Sequence, residues 1–417
     1  MKHPVDNKNR RFFYGYIIIA AGILAGICII GQQSVLGIFF KPISEEFDWT
    51  RATTSVVVPI YSLVMGISSV FMGRLTDKYG PRLVFIIAAL AGGSGIMLMS
   101  QIRALWHFYL FSGFMWGITM GAADVPISTT VSRWFVRKRG MMVGITKAGA
   151  GVGMMLFPIL ANLFSSASGW RSAYLYLGSI VFSGILVAAF ATKRDPAEMN
   201  FLPDGNTTQP TNETAAQISD YSLKDTLSSK QFWTFAGVWV IFLSCVQVTM
   251  THLVNHVTDL GISSAASALI ISVIGGFSIL GRLSLTSLSD RIGPKSAYLI
   301  ALALLASSML WIQFSREVWM FYVFAAIYGT AHGAGFSLLA PMLSKLFGLN
   351  SLGTIMGFII LSGTIGGVFS PIAAGMIFDV TGTYYIAFAA MFAFGLLGIL
   401  LLLSLKPMPE YGNEQMM

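Results

Sequence analysis

The chain has 417 residues, 55% of them hydrophobic and only 11% charged, with a mean hydropathy of +0.72. A water-soluble core cannot hide that much apolar surface, so the composition excludes a soluble globular protein and implies an integral membrane protein. The formal charge of +8 does not point to nucleic acid, because the basic residues lie where a multi-pass protein keeps its topology and lipid-contact signals.

The opening stretch MKHPVDNKNRR is hydrophilic and basic. The apolar segment after it is too long for a signal-peptide core and lacks a small-residue cleavage pattern, so no cleavage is expected. Twelve apolar segments of about 20–28 residues follow, each able to cross a hydrocarbon layer of about 30 Å. They begin near Phe13, Ala52, Leu83, Leu105, Gly140, Ala173, Gln231, Ser263, Ser296, Val318, Gly353 and Tyr384. With an even number of spans and both termini inside, about 19 of the 26 Lys and Arg fall in cytoplasmic segments, about 5 fall outside and two lie within spans. The expected location is therefore the inner (cytoplasmic) membrane, multi-pass, with cytoplasmic termini and the basic clusters against membrane lipids. Cys28 and Cys245 each sit inside a span, which implies packing rather than a disulfide framework.

Between the sixth and seventh spans, KRDPAEMNFLPDGNTTQPTNETAAQISDYSLKD is polar and has no hydrophobic period. It reads as a cytoplasmic linker, residues 193–229, between an N-terminal six-helix bundle, residues 1–192, and a C-terminal one, residues 230–417. The two bundles repeat each other. GRLTDKYGPR after the second span matches TSLSDRIGPK after the eighth, with Asp77 and Asp290 in register. SRWF matches SKLF, and GMMVG with FPILAN matches GTIMG with SPIAAG, placing Pro158 opposite Pro371. One offset, within about a residue, aligns all three pairs.

Parallel six-span repeats with a substrate site between the halves are the organisation of major facilitator transporters. The loop around Gly73, Arg74, Asp77 and Arg82 resembles that superfamily's motif between its second and third helices, with Asp290 and Arg291 in the second copy. Physically, Gly73 permits close helix approach and Asp77 can accept hydrogen bonds at a helix N-terminus. Arg74 and Arg82 supply charge partners whose breakage can accompany opening. The alternative for each residue alone is a rigid, positively charged turn.

WFVRKRGMMVGITKAGAGVG resembles the fifth-helix signature of monocarboxylate porters through Trp134, Phe135, Arg137, Lys138, Arg139, Gly144, Ala148, Gly149 and Gly153, while Met141, Met142 and Thr146 depart from it. YGYIII with GIFFKPISEEF resembles that family's first helix, without its usual preceding acidic residue. DPAEMNFLPDG and HLVNHVTDLGIS look like the bacterial monocarboxylate-porter and oxalate/formate-antiporter branch. The resemblance implies an all-α fold of twelve transmembrane helices and a proton-coupled carrier or exchanger of small carboxylates working by alternating access. It also implies that an eighth-helix arginine, here Arg282, engages the carboxylate. Two departures matter: Ser278 stands where the animal porters have an aspartate, and Ser34 stands where they have a lysine.

The charges inside spans carry the rest. Arg282 lies about 12 Å from the cytoplasmic end of its helix, Lys147 about 10 Å and Asp124 about 13 Å, so the three share one level. A guanidinium is always charged and matches a carboxylate with two parallel bonds, which suits Arg282 to anion capture; tying helices together through carbonyls is the alternative. In the repeat, Lys147 aligns with Ile360 and Asp124 with Phe336 or Ser337, so the shared architecture demands neither charge. Either Asp124 and Lys147 form a neutral pair, or Lys147 faces the cavity beside Arg282 with Asp124 as the proton-linked counter-charge. Protonating Asp124 to free Lys147 would join the two readings.

His332 near the midplane of the tenth span is a candidate substrate donor or proton carrier, or else an interhelical hydrogen-bond partner. Gln32, Gln33 and Ser34 on the first span and Ser278 on the eighth are candidate cavity-lining groups, with Tyr61 and Thr364 weaker ones. His252 and His256 share one face of the seventh span near its outer end and read as an outer gate or hydrogen-bonding pair, since a metal would need further ligands. No cofactor, metal or nucleophile-and-base set is visible, so catalysis is not expected. The sequence predicts a monomeric carrier for small carboxylate anions such as lactate or pyruvate, coupled to protons. An oxalate-formate type exchanger is the main alternative, and drug efflux the lesser one.

Overall fold

The structure is a computed structural model that describes residues 13–50, 53–54, 56–205 and 221–406. The side chain of Ser34 lies outside the described set, as do the basic N-terminal stretch and the middle of the polar linker, residues 206–220. The described residues form an all-helical bundle that crosses the membrane twelve times.

Helix α1 runs in two pieces, Gly15–Gly31 and Gln33–Phe47, joined at Gln32. Next come α2, Val57–Tyr79, and α3, Pro81–Met99, the latter with a π-helical turn at Ala89–Gly93. The fourth span, α4, is interrupted. Leu105–Phe108, a π-helical stretch Tyr109–Met115 and Trp116–Gly121 lead to a break at Ala122, and Val125–Trp134 completes the crossing. Arg139–Ala191 is one run folded at Gly169, where φ of 79° reverses the chain and separates α5, residues 139–168, from α6, residues 170–191. The second half comprises α7, Lys230–Asp259; α8, Ser264–Ile292; α9, Pro294–Ile312; α10, Val318–Phe347; α11, Leu352–Thr381; and α12, Tyr385–Ser404.

The repeated Gly-Pro dipeptides explain two of the turns. Gly80 and Gly293 adopt φ of 83° and 86°, a left-handed backbone that ends α2 and α8, and the following proline starts α3 and α9 with its φ already helical. Each half has its own apolar core. One gathers Ile18, Phe85, Phe108, Trp134 and Val181, the other Phe242, Tyr298, Phe324, Tyr328 and Phe388.

The halves meet chiefly where α2 crosses α11 and α5 crosses α8. At Gly73 a Cβ would collide with the Gly353 carbonyl, so this crossing requires a residue without one. The first and last described residues, Phe13 and Lys406, lie on the same face as the linker. This face is sealed by two carboxylates that reach from one half to the other. Asp77, near the end of α2, accepts from the backbone N–H of Gly353 (2.9 Å) and Thr354 (2.7 Å) and from the Thr354 hydroxyl (2.7 Å), at the start of α11. Asp290, near the end of α8, accepts from the N–H of Gly140 (2.7 Å) and Met141 (2.9 Å), at the start of α5. Each carboxylate meets the unsatisfied, partly positive end of a helix. Arg139 to the Ser344 hydroxyl (3.0 Å), Arg133 to the Leu349 carbonyl (3.0 Å) and Ser69 to the Gly357 carbonyl (2.9 Å) join the halves at the same end.

Arg82 is not a partner of Asp77: its guanidinium lies over the Phe190 ring, 4.6 Å from the centroid. Arg74 and Arg291 are exposed. The expected charge partner is replaced by backbone amides because the glycine crossing brings the α11 N-terminus within direct reach of Asp77.

Candidate functional site at the middle of the bundle

The three charges that share a level in the sequence converge in space. Pro126 in the first turn of Val125–Trp134 disfavours helical geometry just before it, and α4 breaks over residues 122–124. Asp124 thereby sits at the N-terminal end of the second piece, but it makes no cap to that helix. Its carboxylate instead meets the Lys147 ammonium of α5 at 3.2 Å. The lysine side chain is 4% exposed and the aspartate 34%, so the ammonium is buried while the carboxylate keeps an open side. Lys147 also donates to the Phe336 carbonyl of α10 at 2.8 Å, a bond from one half to the other.

Arg282 continues the chain of contacts. Its Nη1 donates to the Lys147 carbonyl at 3.0 Å, again between halves, and its Nε approaches the Ser278 hydroxyl at 3.4 Å. Ser278 lies 3.1 Å from Nδ1 of His332. Because guanidinium only donates, Ser278 accepts from Arg282, and the same hydroxyl shares a hydrogen bond with the imidazole Nδ1. Among the described residues, nothing pairs with Nη2 of Arg282.

Lys147 and Asp124 together are neutral, so Arg282 leaves one net positive charge among apolar helices. An unpaired cation there is costly, and an incoming anion relieves the cost. Asp124, Lys147, Ser278, Arg282 and His332 form one connected set drawn from α4, α5, α8 and α10. Gln33 stands apart: its Nε2 reaches the Tyr61 hydroxyl at 3.5 Å, and Tyr61 stacks on Trp116 at 4.6 Å. Thr364 bonds back to the Ile360 carbonyl of its own helix and lies in the α2–α11 crossing. His252 contacts the Pro371 carbonyl at 2.9 Å, and His256 packs against Phe321, Tyr384, Tyr385 and Phe388. Among the described residues, no three His, Cys, Asp or Glu side chains are placed to hold a metal.

Sequence reasoning missed the acceptor at Phe336 and the bridging role of Arg133, which also pairs with Asp195 at 3.3 Å. A backbone carbonyl has no sequence signature, whereas Arg133 lies in the SRWF repeat and was open to notice.

The Major Facilitator Superfamily profile matches residues 22–295 and 253–415. Rat monocarboxylate transporter 12 (Rattus norvegicus) is 25% identical over 405 residues, covering 90% of this chain and 82% of that protein. Rat monocarboxylate transporter 13 is 24% identical over 94% of this chain and 89% of its own length. The agnestins efflux protein AgnL12 of Paecilomyces divaricatus is 24% identical over 84% and 78%. Among solved structures, the human organic anion transporter MFSD10 superposes with a TM-score of 0.72 at 16% identity, over 93% of this chain and 99% of that one. FucP in its outward conformation gives 0.73 at 12% identity, over 94% and 99%. The twelve-helix architecture, the duplicated halves and a profile match across nearly the whole length agree, and the chain belongs to the Major Facilitator Superfamily as a multi-pass membrane transporter rather than an enzyme.

Proposed function

We propose that this protein is a secondary carrier of small organic monocarboxylates of the lactate or pyruvate type, working by alternating access, with Arg282 as the anion anchor. The single observation behind the reading is the charge balance of the site, one unneutralised guanidinium beside a self-compensated Asp124–Lys147 pair. One carboxylate brings the site to neutrality. A second carboxylate on the same substrate would carry it to a net negative charge, and a cationic drug would add to the positive one. The relatives named monocarboxylate transporters support the same substrate class. The linker face is assigned to the cytoplasm, which places both termini there, in an inner-membrane protein that functions as a monomer.

Binding has a direct route to motion. Arg282 spends Nη1 on the Lys147 carbonyl of the opposite half. A carboxylate that takes the guanidinium in a bidentate grip, with the His332 imidazole close by, competes with that bond. Its loss loosens a contact that the halves must break to open toward the linker. Coupling to protons runs through Asp124, whose open side accepts a proton; the neutral acid then releases Lys147. Charge balance also favours a second reading. The site loaded with one monoanion is neutral without any proton, which suits an exchanger that crosses only when occupied.

The test is Arg282→Ala in proteoliposomes. Carboxylate uptake should be lost while the protein still reaches the membrane, and retained uptake removes the anchor. Thermal stabilisation by lactate, pyruvate, oxalate and succinate ranks the substrates. Uptake driven by a pH gradient supports the symporter; uptake that needs internal carboxylate and ignores the gradient supports the exchanger.

A further inference from the structure

We infer that the N-terminal half holds a permanent hydration site, a chamber for about two water molecules, behind the wall formed by Gln33, Tyr61 and Trp116. The observation is a set of polar groups buried without protein partners. Both atoms of the Gln32 amide, the Trp116 indole N–H and the Tyr174 hydroxyl lack a hydrogen bond among the described residues. The three side chains are 5%, 8% and 3% exposed. All three line one cavity, together with Ser112, Val35 and Met99.

Four helices build this chamber: α1 at its junction, α3, α4 and α6. About 30 Å³ is open there to the centre of a water-sized sphere. A single water needs roughly 10–15 Å³ on that measure, so the space suits about two. Among the described residues, no Asp, Glu, Lys, Arg or His lines it. An anion would have no counter-charge there, which separates the chamber from the Arg282 site and selects a neutral guest. The hydrogen-bond inventory fits water. Trp116 can only donate, the Gln32 carbonyl oxygen can only accept, and the Gln32 amide NH₂ and the Tyr174 hydroxyl complete the set. Ser112 gives its proton to the Met99 sulfur at 3.0 Å and keeps its oxygen free to accept. A molecule with two donors and two acceptors bridges these groups, whereas an apolar guest leaves each of them unsatisfied.

The chamber adjoins the Tyr61–Trp116 stack. Trp116 lines the chamber and stacks its ring on Tyr61, which meets Gln33. Gln32 is the residue where α1 changes from one helical piece to the next. Water held here braces that junction and the aromatic wall from behind.

Tyr174→Phe tests the inference by sign. A hydroxyl bound to water stabilises the fold, so its removal lowers the melting temperature; a hydroxyl with no partner destabilises it, so its removal leaves the temperature unchanged or raises it. Tyr298→Phe is the comparison, since Tyr298 is a buried hydroxyl without a partner outside the chamber. The expected result is a drop for Tyr174→Phe that exceeds any drop for Tyr298→Phe. An equal or smaller drop overturns the inference. The second measurement is a density map of the purified protein that resolves ordered water elsewhere. Solvent peaks bridging at least two of Gln32, Trp116 and Tyr174 support the site, and a bare chamber in such a map overturns it.

Discussion

Asp124 and Lys147 are held as a pair in which the two partners are unequally buried, and that inequality fixes the order of mutational effects. At 3.2 Å, with an effective dielectric of about 20, the attraction is about 5 kcal/mol before desolvation. Asp124→Asn removes it and strands an ammonium that is 4% exposed, keeping only the Phe336 carbonyl and a neutral amide as partners. Breaking a buried pair costs about 3–5 kcal/mol, and the exposed side of Asp124 reduces this to about 2–3 kcal/mol. Lys147→Met strands a carboxylate that is 34% exposed and can be hydrated, so the loss is about 1 kcal/mol. The double variant Asp124→Asn, Lys147→Met removes both charges of the pair and should recover most of the loss, because neutral replacement of a buried pair costs little. Thermal unfolding of the purified protein reads the series, and the coupling between the two sites is the deviation from additivity. If Lys147→Met costs as much as Asp124→Asn, or if the double variant costs the sum of the two, the pair is not organised as described.

Replacing Asp77 by Asn removes a charged acceptor from three donors at the start of α11, each such bond being worth about 1.5–3 kcal/mol. The halves should shift toward opening on the linker face, read as increased labelling of cysteines introduced along the α2–α11 crossing; unchanged labelling would show that Asp77 does not hold the seal. Gly73→Val places a branched side chain against the Gly353 carbonyl and should prevent closure there, giving high labelling and little transport, whereas normal transport would mean that the crossing is looser than it looks. Ser278→Ala takes away the hydroxyl between Arg282 and His332 and should weaken carboxylate binding by about tenfold, the equivalent of one hydrogen bond of about 1.4 kcal/mol. Titration by thermal shift measures it, and an unchanged affinity would detach His332 from the site.

Much of this architecture is legible in the sequence because a bilayer imposes it. Spans have a required length, the Gly-Pro dipeptides mark the ends of α2 and α8, and the shared depth of Asp124, Lys147 and Arg282 foretells that they meet. What the sequence does not reveal is which atoms they choose. Lys147 aligns with an isoleucine in the repeat, yet its second partner is the Phe336 carbonyl, and every residue has a carbonyl. Asp77 looks like one half of an ion pair with a nearby arginine, because arginines are visible in a sequence and the amide groups at the start of α11 are not. The break in α4 has a cue in Pro126, but the direction in which Asp124 then points follows from α5 lying beside it. The chamber around Gln32 draws on four helices distant in the chain, and nothing local marks it.

The two aspartate clamps have a geometric consequence. Asp77 of the first half grips the α11 amides of the second, and Asp290 of the second grips the α5 amides of the first. In the repeat, α2 corresponds to α8 and α5 to α11, so this is one contact made twice about a pseudo-dyad. It is the isologous arrangement of a twofold homodimer, in which one patch serves as its own complement. Two unlinked copies of a single six-helix unit would form this seal on both sides of the axis without any linker. The ion pair of Asp124 and Lys147 has no such counterpart, since the second half offers Ile360 in place of the lysine. The seal is thus built from architecture that the two halves share, whereas this charge arrangement belongs to the first half alone.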